Sequence, residues 1–265
     1  MGKFTGYLIC TDCDGTLTYE AGKVSKENAD AIKYFQQEGG LFTLATGRFP
    51  NHAKLFEHQI TLNAPIVSLN GALLYDYQTS MPLKMWHINK NDCFELLSYV
   101  NERWQDVEAY YASGLNKKGG FEGYSFNPKE CDQSGKSLRV FLEGMEEEPL
   151  KMLLFQNENI TPIVQKDLKE KFGDRFSFDL SWKEGIEINS IECGKGIAVQ
   201  YLKKHLKEHI HTTVGIGDYE NDISLLRYAD IGYAVENAIL PLKTVADRIT
   251  VKNTESAIAK IIYEL

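Results

Sequence analysis

Tyr7-Leu8-Ile9-Cys10-Thr11-Asp12-Cys13-Asp14-Gly15-Thr16 is an apolar run that ends in two carboxylates flanking a single residue, followed by a glycine turn. A short apolar run bounded by turn residues reads as a buried strand. Open α/β sheets place their chemistry at the carboxyl ends of such strands. A pair of acids at that place can hold a divalent cation and can supply both a nucleophile and a proton donor, so the stretch points to phosphoryl transfer. A solvated turn gives a similar string, because Asp and Gly are ordinary turn residues, and the pair has to be weighed with its surroundings.

Those surroundings repeat the theme. Val214-Gly215-Ile216-Gly217-Asp218-Tyr219-Glu220-Asn221-Asp222 is again an apolar run closed by an acid, a turn and another acid. Asp218 also fits as an N-cap of the following helix, a role compatible with metal binding. Leu44-Ala45-Thr46-Gly47-Arg48 is a third strand end, closing on a hydroxyl. Cys193-Gly194-Lys195-Gly196 sets a lysine where a helix begins. Most lysines are surface charges, but a helix start is a preferred anion site.

The chain between these motifs alternates. Ser25, with Glu27 and Asn28 behind it, opens an amphipathic helix in which Ala29, Ile32 and Phe35 recur at helical spacing up to Gly39-Gly40. A strand at 41–45, a helix at 51–59 and a strand at 66–69 ending at Asn70-Gly71 continue the rhythm, which predicts a doubly wound, Rossmann-like parallel sheet. The middle third reads as a separate α+β unit. It comprises a hairpin-like stretch at 73–88, a helix at 91–104, a strand at 107–111, an exposed polar loop at 114–123, a strand at 138–142, helices at 147–156 and 166–172, and strands at 176–180 and 185–188. The α/β rhythm then returns with a helix at 194–209, the strand ending at Asp218, a helix at 221–228, a strand at 231–234 and a last helix from Thr254.

Spacing places the insertion. The interval from Asp14 to Thr46 holds a turn, a helix and a strand and nothing more, whereas that from Arg48 to Lys195 has room for a domain. The predicted organisation is a discontinuous core, residues 1–83 and 189–265, with an inserted α+β unit at 84–188.

Composition removes several classes of function. With 265 residues, 43% of them hydrophobic, the chain can bury a sizeable core. A net charge of −8 argues against a general nucleic-acid surface, which demands clustered Lys and Arg. No apolar run approaches the roughly 18 to 20 residues that span a bilayer, and the opening Met1-Gly2-Lys3-Phe4-Thr5-Gly6 has neither a signal-peptide stretch nor a myristoylation pattern. A cytoplasmic enzyme with no membrane and no nucleic-acid partner is the expectation, and oligomeric state is hidden. The five cysteines fit free thiols in a reducing compartment better than a disulfide framework.

In this order the motifs at Asp12/Asp14, Thr46, Lys195 and Asp218/Asp222 resemble the haloacid dehalogenase-like (HAD) hydrolases, most closely their Cof-like phosphatases, with a match from Tyr7 to the last helix. The resemblance implies a HAD core whose inserted cap roofs the active site and shapes substrate choice. It implies Asp12 as nucleophile and metal ligand, and Asp14 as acid for the leaving group and then base for water, its backbone carbonyl completing part of the coordination. Asp218 becomes a further ligand, and Asp222 a ligand or the partner of one. Thr46, the Gly47 amide, Arg48, Lys195 and Asn221 then face the phosphate or substrate. An oxygen-only donor set suits Mg2+. The implied activity is a magnesium-dependent phosphatase, acting through an aspartyl phosphate on a small phosphorylated metabolite, a sugar phosphate foremost. A phosphosugar mutase stays open as an alternative. So does a non-enzymatic aspartate-phosphorylated signalling domain, although such domains are much shorter and lack an insertion. Cys13, Tyr219, Leu225 and Ser256 depart from the usual family pattern without removing a catalytic group.

Weaker signals are set aside. Cys10 and Cys13 form a CxxC with no second pair, and an odd spacing along a strand sends side chains to opposite faces. His205, His209 and His211 have a zinc-compatible spacing but no companion acid, and they read better as cations near a helix carboxyl end. Trp104, Tyr110 and Tyr111 read as packing residues rather than a sugar-stacking platform.

Overall fold

The stretch that ends at Asp12 forms β1 (Tyr7–Thr11), with Leu8, Ile9 and Cys10 wholly buried. The structure, a computed structural model, describes residues 2–20, 22–53, 56, 58–116, 120–130, 134–206 and 210–265. It divides into two compact units, Met1–Lys84 with Gly194–Leu265, and Met85–Cys193. In the first unit β1 is followed by a small hairpin of β2 (Thr18–Glu20) and β3 (Lys23–Val24). Ser25 then caps α1 (Lys26–Gln37), its Oγ accepting from the Asn28 amide at 3.1 Å, and the helix buries Ala31, Ile32 and Phe35. Next come β4 (Leu41–Leu44), α2 (Pro50–Ala53), β5 (Ile66–Ser68), β6 (Leu73–Asp76) and β7 (Met81–Met85). Of the helix predicted at 51–59, residues 54, 55 and 57 lie outside the described residues.

The second unit comprises α3 (Lys90–Arg103), β8 (Val107–Leu115), β9 (Phe121–Phe126), α4 (Lys136–Glu143), β10 (Lys151–Gln156), α5 (Thr161–Phe172), β11 (Phe176–Trp182) and β12 (Gly185–Ser190). Its sheet runs in the order β11-β12-β10-β8-β9, with antiparallel pairing throughout. One apolar cluster joins Met152, Leu154, Ile186 and Ile188 of the sheet to Leu96, Leu138, Val164 and Leu168 of the helices.

Three expectations are corrected in this unit. Residues 138–142 form a helix, not a strand. Leu138 and Leu142, one turn apart, are buried while Val140 is 60% exposed, a pattern that strand alternation cannot give. Residues 151–156 form a central strand where a helix was expected. Met152 and Leu154 point into the cluster, and β8 and β12 take the backbone hydrogen bonds on either side. The polar stretch at 114–123 belongs largely to the β8–β9 hairpin, in which Leu115 pairs with Phe121; residues 117–119 lie outside the described residues.

The chain returns to the first unit through α6 (Lys195–His205), β13 (Thr212–Gly217), α7 (Ile223–Tyr228), β14 (Ile231–Ala234), α8 (Leu240–Lys243), β15 (Arg248–Ile249) and α9 (Ala257–Glu264). The resulting five-stranded sheet is parallel throughout, in the order β15-β14-β13-β1-β4. From β1 the chain moves by α1 to β4 on one side, while β13 lies on the other. The carboxyl ends of β1 and β13 therefore flank the place where the strand order reverses, the position at which open α/β sheets bind ligands. Among the described residues no helix is long and apolar enough to cross a membrane.

Candidate active site

Asp12 and Asp218 each follow the last residue of a strand, and the two strands are neighbours in parallel register, Thr11 beside Ile216. The Asp12 amide extends the ladder by donating to the Ile216 carbonyl at 2.8 Å. Asp222 comes to the same place from the turn before α7. It reaches back so that its Oδ2 accepts from the amides of Asp218 at 2.9 Å and Tyr219 at 3.2 Å. The cap on this turn is thus supplied by Asp222, and the Asp218 side chain is spent elsewhere. One carboxylate oxygen from each of Asp12, Asp218 and Asp222 lies within 4.8 Å of the others.

The ammonium of Lys195 faces this cluster. Lys195 is the first residue of α6 and has no solvent exposure. Its Nζ donates to Asp12 Oδ1 at 2.6 Å and to Asp222 Oδ1 at 2.6 Å. Burial alone strips the proton from an amine, but the two carboxylates outweigh it and hold Lys195 above its ordinary range. The acids show the complementary effect. Burial lifts the Asp12 carboxyl well above the usual carboxylate range; Lys195 opposes the rise, and the charges of Asp222 and Asp218 add to it. Burial, followed by the charge of Asp222, pushes Asp218 up to about 7 against the pull of the Thr16 hydroxyl and Lys195. One buried ammonium therefore leaves three carboxylates under-neutralised. An oxygen-only set with surplus negative charge is what a hard divalent cation fits, and Asp12, Asp218 and Asp222 are the side chains that could hold it.

The turn after β1 closes over the same point. Gly15 sits at φ +81°, in the left-handed region, and a Cβ there would come 2.6 Å from Asp218 Oδ2. Thr16 Oγ1 donates to Asp218 Oδ1 at 2.7 Å. Thr16 belongs to the quoted motif, yet its role was missed, because nothing in the string says which distant acid it meets. Asp14 does not join the carboxylate cluster. Its oxygens accept from Arg48 Nε at 2.7 Å and Nη2 at 2.8 Å, a two-pronged pair that remains partly in solvent.

Thr46 lies just beyond β4, with its Oγ1 accepting from the Arg48 amide at 3.2 Å. Its own amide donates to the Val67 carbonyl at 2.8 Å, tying β4 to β5. Asn221 is 8% exposed, and its Nδ2 donates to Asn70 Oδ1 at 3.2 Å. Gly47 lies between Thr46 and Arg48 and is half-buried.

The other sequence signals find structural employment. Burial pushes the thiols of Cys10 and Cys13 far up, which leaves both protonated, and Cys10, Cys13, Cys93 and Cys193 are free. His211 contacts Thr212 Oγ1 at 2.8 Å and the Thr5 carbonyl at 3.1 Å, while His209 lies outside the described residues. Tyr110 is buried and stacks on Phe126, and Trp104 Nε1 donates to Asp167 Oδ2 at 2.7 Å. Tyr111 is 43% exposed.

Known proteins resemble the chain in sequence and in fold. The 5-amino-6-(5-phospho-D-ribitylamino)uracil phosphatase YitU of Bacillus subtilis is 23% identical to the chain over 271 residues, covering 97% of each. A solved haloacid dehalogenase-like hydrolase from B. subtilis superposes with a TM-score of 0.77 at 23% identity, covering 97% of this chain and 99% of that one. A solved HAD subclass IIB sugar phosphatase gives a TM-score of 0.75 at 19% identity, covering 97% and 98%. The family model for haloacid dehalogenase-like hydrolases matches residues 9–262. With the acids of β1 and β13 and the helix-start lysine all inside that span, the chain belongs to the haloacid dehalogenase-like hydrolases.

Proposed function

We propose that this enzyme, a phosphoric monoester hydrolase, removes phosphate from a small phosphorylated metabolite, a sugar or polyol phosphate, in a magnesium-dependent reaction that passes through an aspartyl phosphate on Asp12. The observation that carries the reading is the meeting of the Asp12, Asp218 and Asp222 carboxylates with the wholly buried Lys195 ammonium at the switch point of the sheet. The substrate class draws support from YitU, whose named substrate carries its phosphate on a ribityl chain, and from the structural neighbour named a sugar phosphatase.

The roles follow from position and charge. One carboxylate oxygen of Asp12 attacks phosphorus, forming the acyl phosphate as the bond from phosphorus to the departing oxygen breaks. Asp14 delivers a proton to that oxygen. It then takes one from the water that attacks phosphorus and frees Asp12. The Lys195 ammonium, held against Asp12, compensates the charge spread over the equatorial oxygens, as positioned cations do in phosphoryl transfer. The Thr46 hydroxyl and the Gly47 amide donate to the same oxygens. Arg48 fixes the orientation of Asp14 through its two-pronged contact, and Asn221 addresses the substrate from the turn after Asp218. Asp12, Asp218 and Asp222, with the Asp14 carbonyl, would hold Mg2+, which would supply neutralisation of the attacking carboxylate and of the phosphoryl group.

Phosphate release from a panel of phosphorylated sugars, polyols and other small metabolites tests the reading, with magnesium and with chelator. Hydrolysis of at least one sugar or polyol phosphate, abolished by Asp12→Asn in a folded protein and by removal of magnesium, is expected. An Asp12→Asn variant that keeps full turnover overturns the role of Asp12.

A further inference from the structure

The Asn70-Gly71 dipeptide marks a strand end in the sequence, and the reaction described above makes no use of it. Its conformation is unusual. Leu69 at φ 50°, Asn70 at φ 58° and Gly71 at φ 94° are three successive residues in the left-handed region, and two of them carry side chains. A bulky residue such as Leu rarely adopts this backbone, and such outliers persist only where the surroundings over-determine them.

Here the surroundings are the site itself. The Leu69 amide donates to the Arg48 carbonyl at 3.2 Å, and the Asn70 amide donates to the Thr46 carbonyl at 3.0 Å. Ser68 Oγ also donates to the Arg48 carbonyl. The turn is thereby bonded to the backbone of the segment that presents Thr46, Gly47 and Arg48. On its other side Gly71 packs so closely against the start of α6 that a Cβ would lie 2.3 Å from the Gly194 carbonyl carbon and 2.8 Å from the Lys195 nitrogen. Between these contacts the Asn70 side chain, 3% exposed, accepts from Asn221 Nδ2 at 3.2 Å. One reversed turn therefore touches the β4 end, the lysine helix and the acidic turn, elements far apart in sequence.

We infer that Asn70 is a positioning residue: its left-handed backbone locks the Thr46–Arg48 segment, and its side-chain amide fixes Asn221, so that the groups around the phosphate site are held in one arrangement before substrate arrives. The inference rests on the phosphatase reading for the role it gives Asn221. Asn suits the position because it tolerates the left-handed region better than most residues and carries an amide that can accept. Pre-set geometry of this kind acts on turnover more than on folding.

Two measurements test it, and they do not stand or fall together. Asn70→Gly keeps the permitted backbone and removes the amide. It is expected to lower kcat/KM for p-nitrophenyl phosphate about tenfold with little change in melting temperature. If Asn70 acts through Asn221, Asn70→Gly costs nothing further in an Asn221→Ala background. Equal losses in both backgrounds, or full activity of Asn70→Gly, overturn the inference. Asn70→Ala, which adds the backbone strain, is expected to lose more activity than Asn70→Gly. Independently of catalysis, the side-chain amide signal of Asn221, identified by its disappearance in Asn221→Ala, is expected to shift in the 1H–15N spectrum of Asn70→Gly, and an unmoved signal overturns the link. A wild-type protein inactive on every phosphomonoester overturns the phosphatase reading, and the amide signal then decides on Asn70 alone.

Discussion

The Lys195 ammonium lies 2.6 Å from Asp12 Oδ1 although Lys195 has no exposed surface and the two residues stand 183 positions apart. A buried ion pair is a poor stabiliser beside an apolar replacement, but removing one partner strands the other in a medium that cannot solvate it. Lys195 donates to two carboxylates at once. Lys195→Met is accordingly expected to destabilise the fold by about 3 to 5 kcal/mol, the range found when one member of a buried pair is deleted. Chemical denaturation measures this. Loss of activity with unchanged stability would show that the pair is not stranded by the substitution. Lys195→Met combined with Asp222→Asn is expected to recover part of the stability without recovering turnover.

Under the proposed reading, in which Asp218 is a magnesium ligand, binding of the ion is expected to depend on pH. Its carboxyl is pushed up to about 7 by burial first and by the charge of Asp222 second. A folded-state value above the unfolded one means that, without metal, this contribution to stability is fully present below the unfolded value and is lost as pH rises through about 7. A divalent cation competes with the proton and removes the penalty. Magnesium is therefore expected to raise the melting temperature strongly at about pH 8 and much less at about pH 5.5. An equal rise at both would show that Asp218 titrates outside this window.

Asp14 is the most exposed carboxylate of the motif, and Arg48 grips it with two nitrogens. A pair this open contributes only about 0 to 1 kcal/mol to stability, so Asp14→Asn is expected to leave the melting temperature nearly unchanged. Loss of a general acid lowers rates by roughly 10²- to 10⁴-fold. The loss depends on the leaving group: an alkyl phosphate, whose alkoxide needs the proton, is expected to suffer far more than p-nitrophenyl phosphate. Equal loss on both would deny Asp14 the acid role. Arg48→Lys, which cannot form the forked contact, is expected to show a milder version of the same leaving-group dependence.

The parallel sheet of the core was legible because β1 and β13 are apolar runs that stop abruptly at acids, and a buried strand leaves few other readings. What failed was local. Leu138–Leu142 and Lys151–Gln156 are apolar windows too short for a period of 2 to be told from one of 3.6. Their assignments were settled by packing, which gave Leu138 and Leu142 to one helix face and set β10 between β8 and β12. The sequence offers residue types for the candidate site but not their contacts. Nothing in the string says that Asp222 turns back on the Asp218 amide, that Thr16 meets Asp218, or that Asn70 meets Asn221. These pairings exist only once the sheet has brought distant strand ends together.

Gly15 gives the sharpest test of the proposed cation position. Its φ of +81° alone makes a side chain unwelcome, at a cost of about 1 to 2 kcal/mol for an L residue. The larger effect is steric, since a Cβ would stand 2.6 Å from Asp218 Oδ2, closer than carbon and oxygen approach without bonding. Either the turn moves, carrying Asp14 with it, or Asp218 swings away from Asp12. Gly15→Ala is therefore expected to fold with a modest loss of stability, yet to bind magnesium so weakly that titration calorimetry detects no heat where the wild type saturates. Thr16→Val is the control, because it removes only the hydroxyl that donates to Asp218 Oδ1. With that bond gone, Asp218 is expected to bind a proton more tightly and to need a higher pH before magnesium displaces it. A Gly15→Ala protein that binds magnesium as tightly as the wild type would place the ion away from Asp218, and with it the chemistry assigned to this end of the sheet.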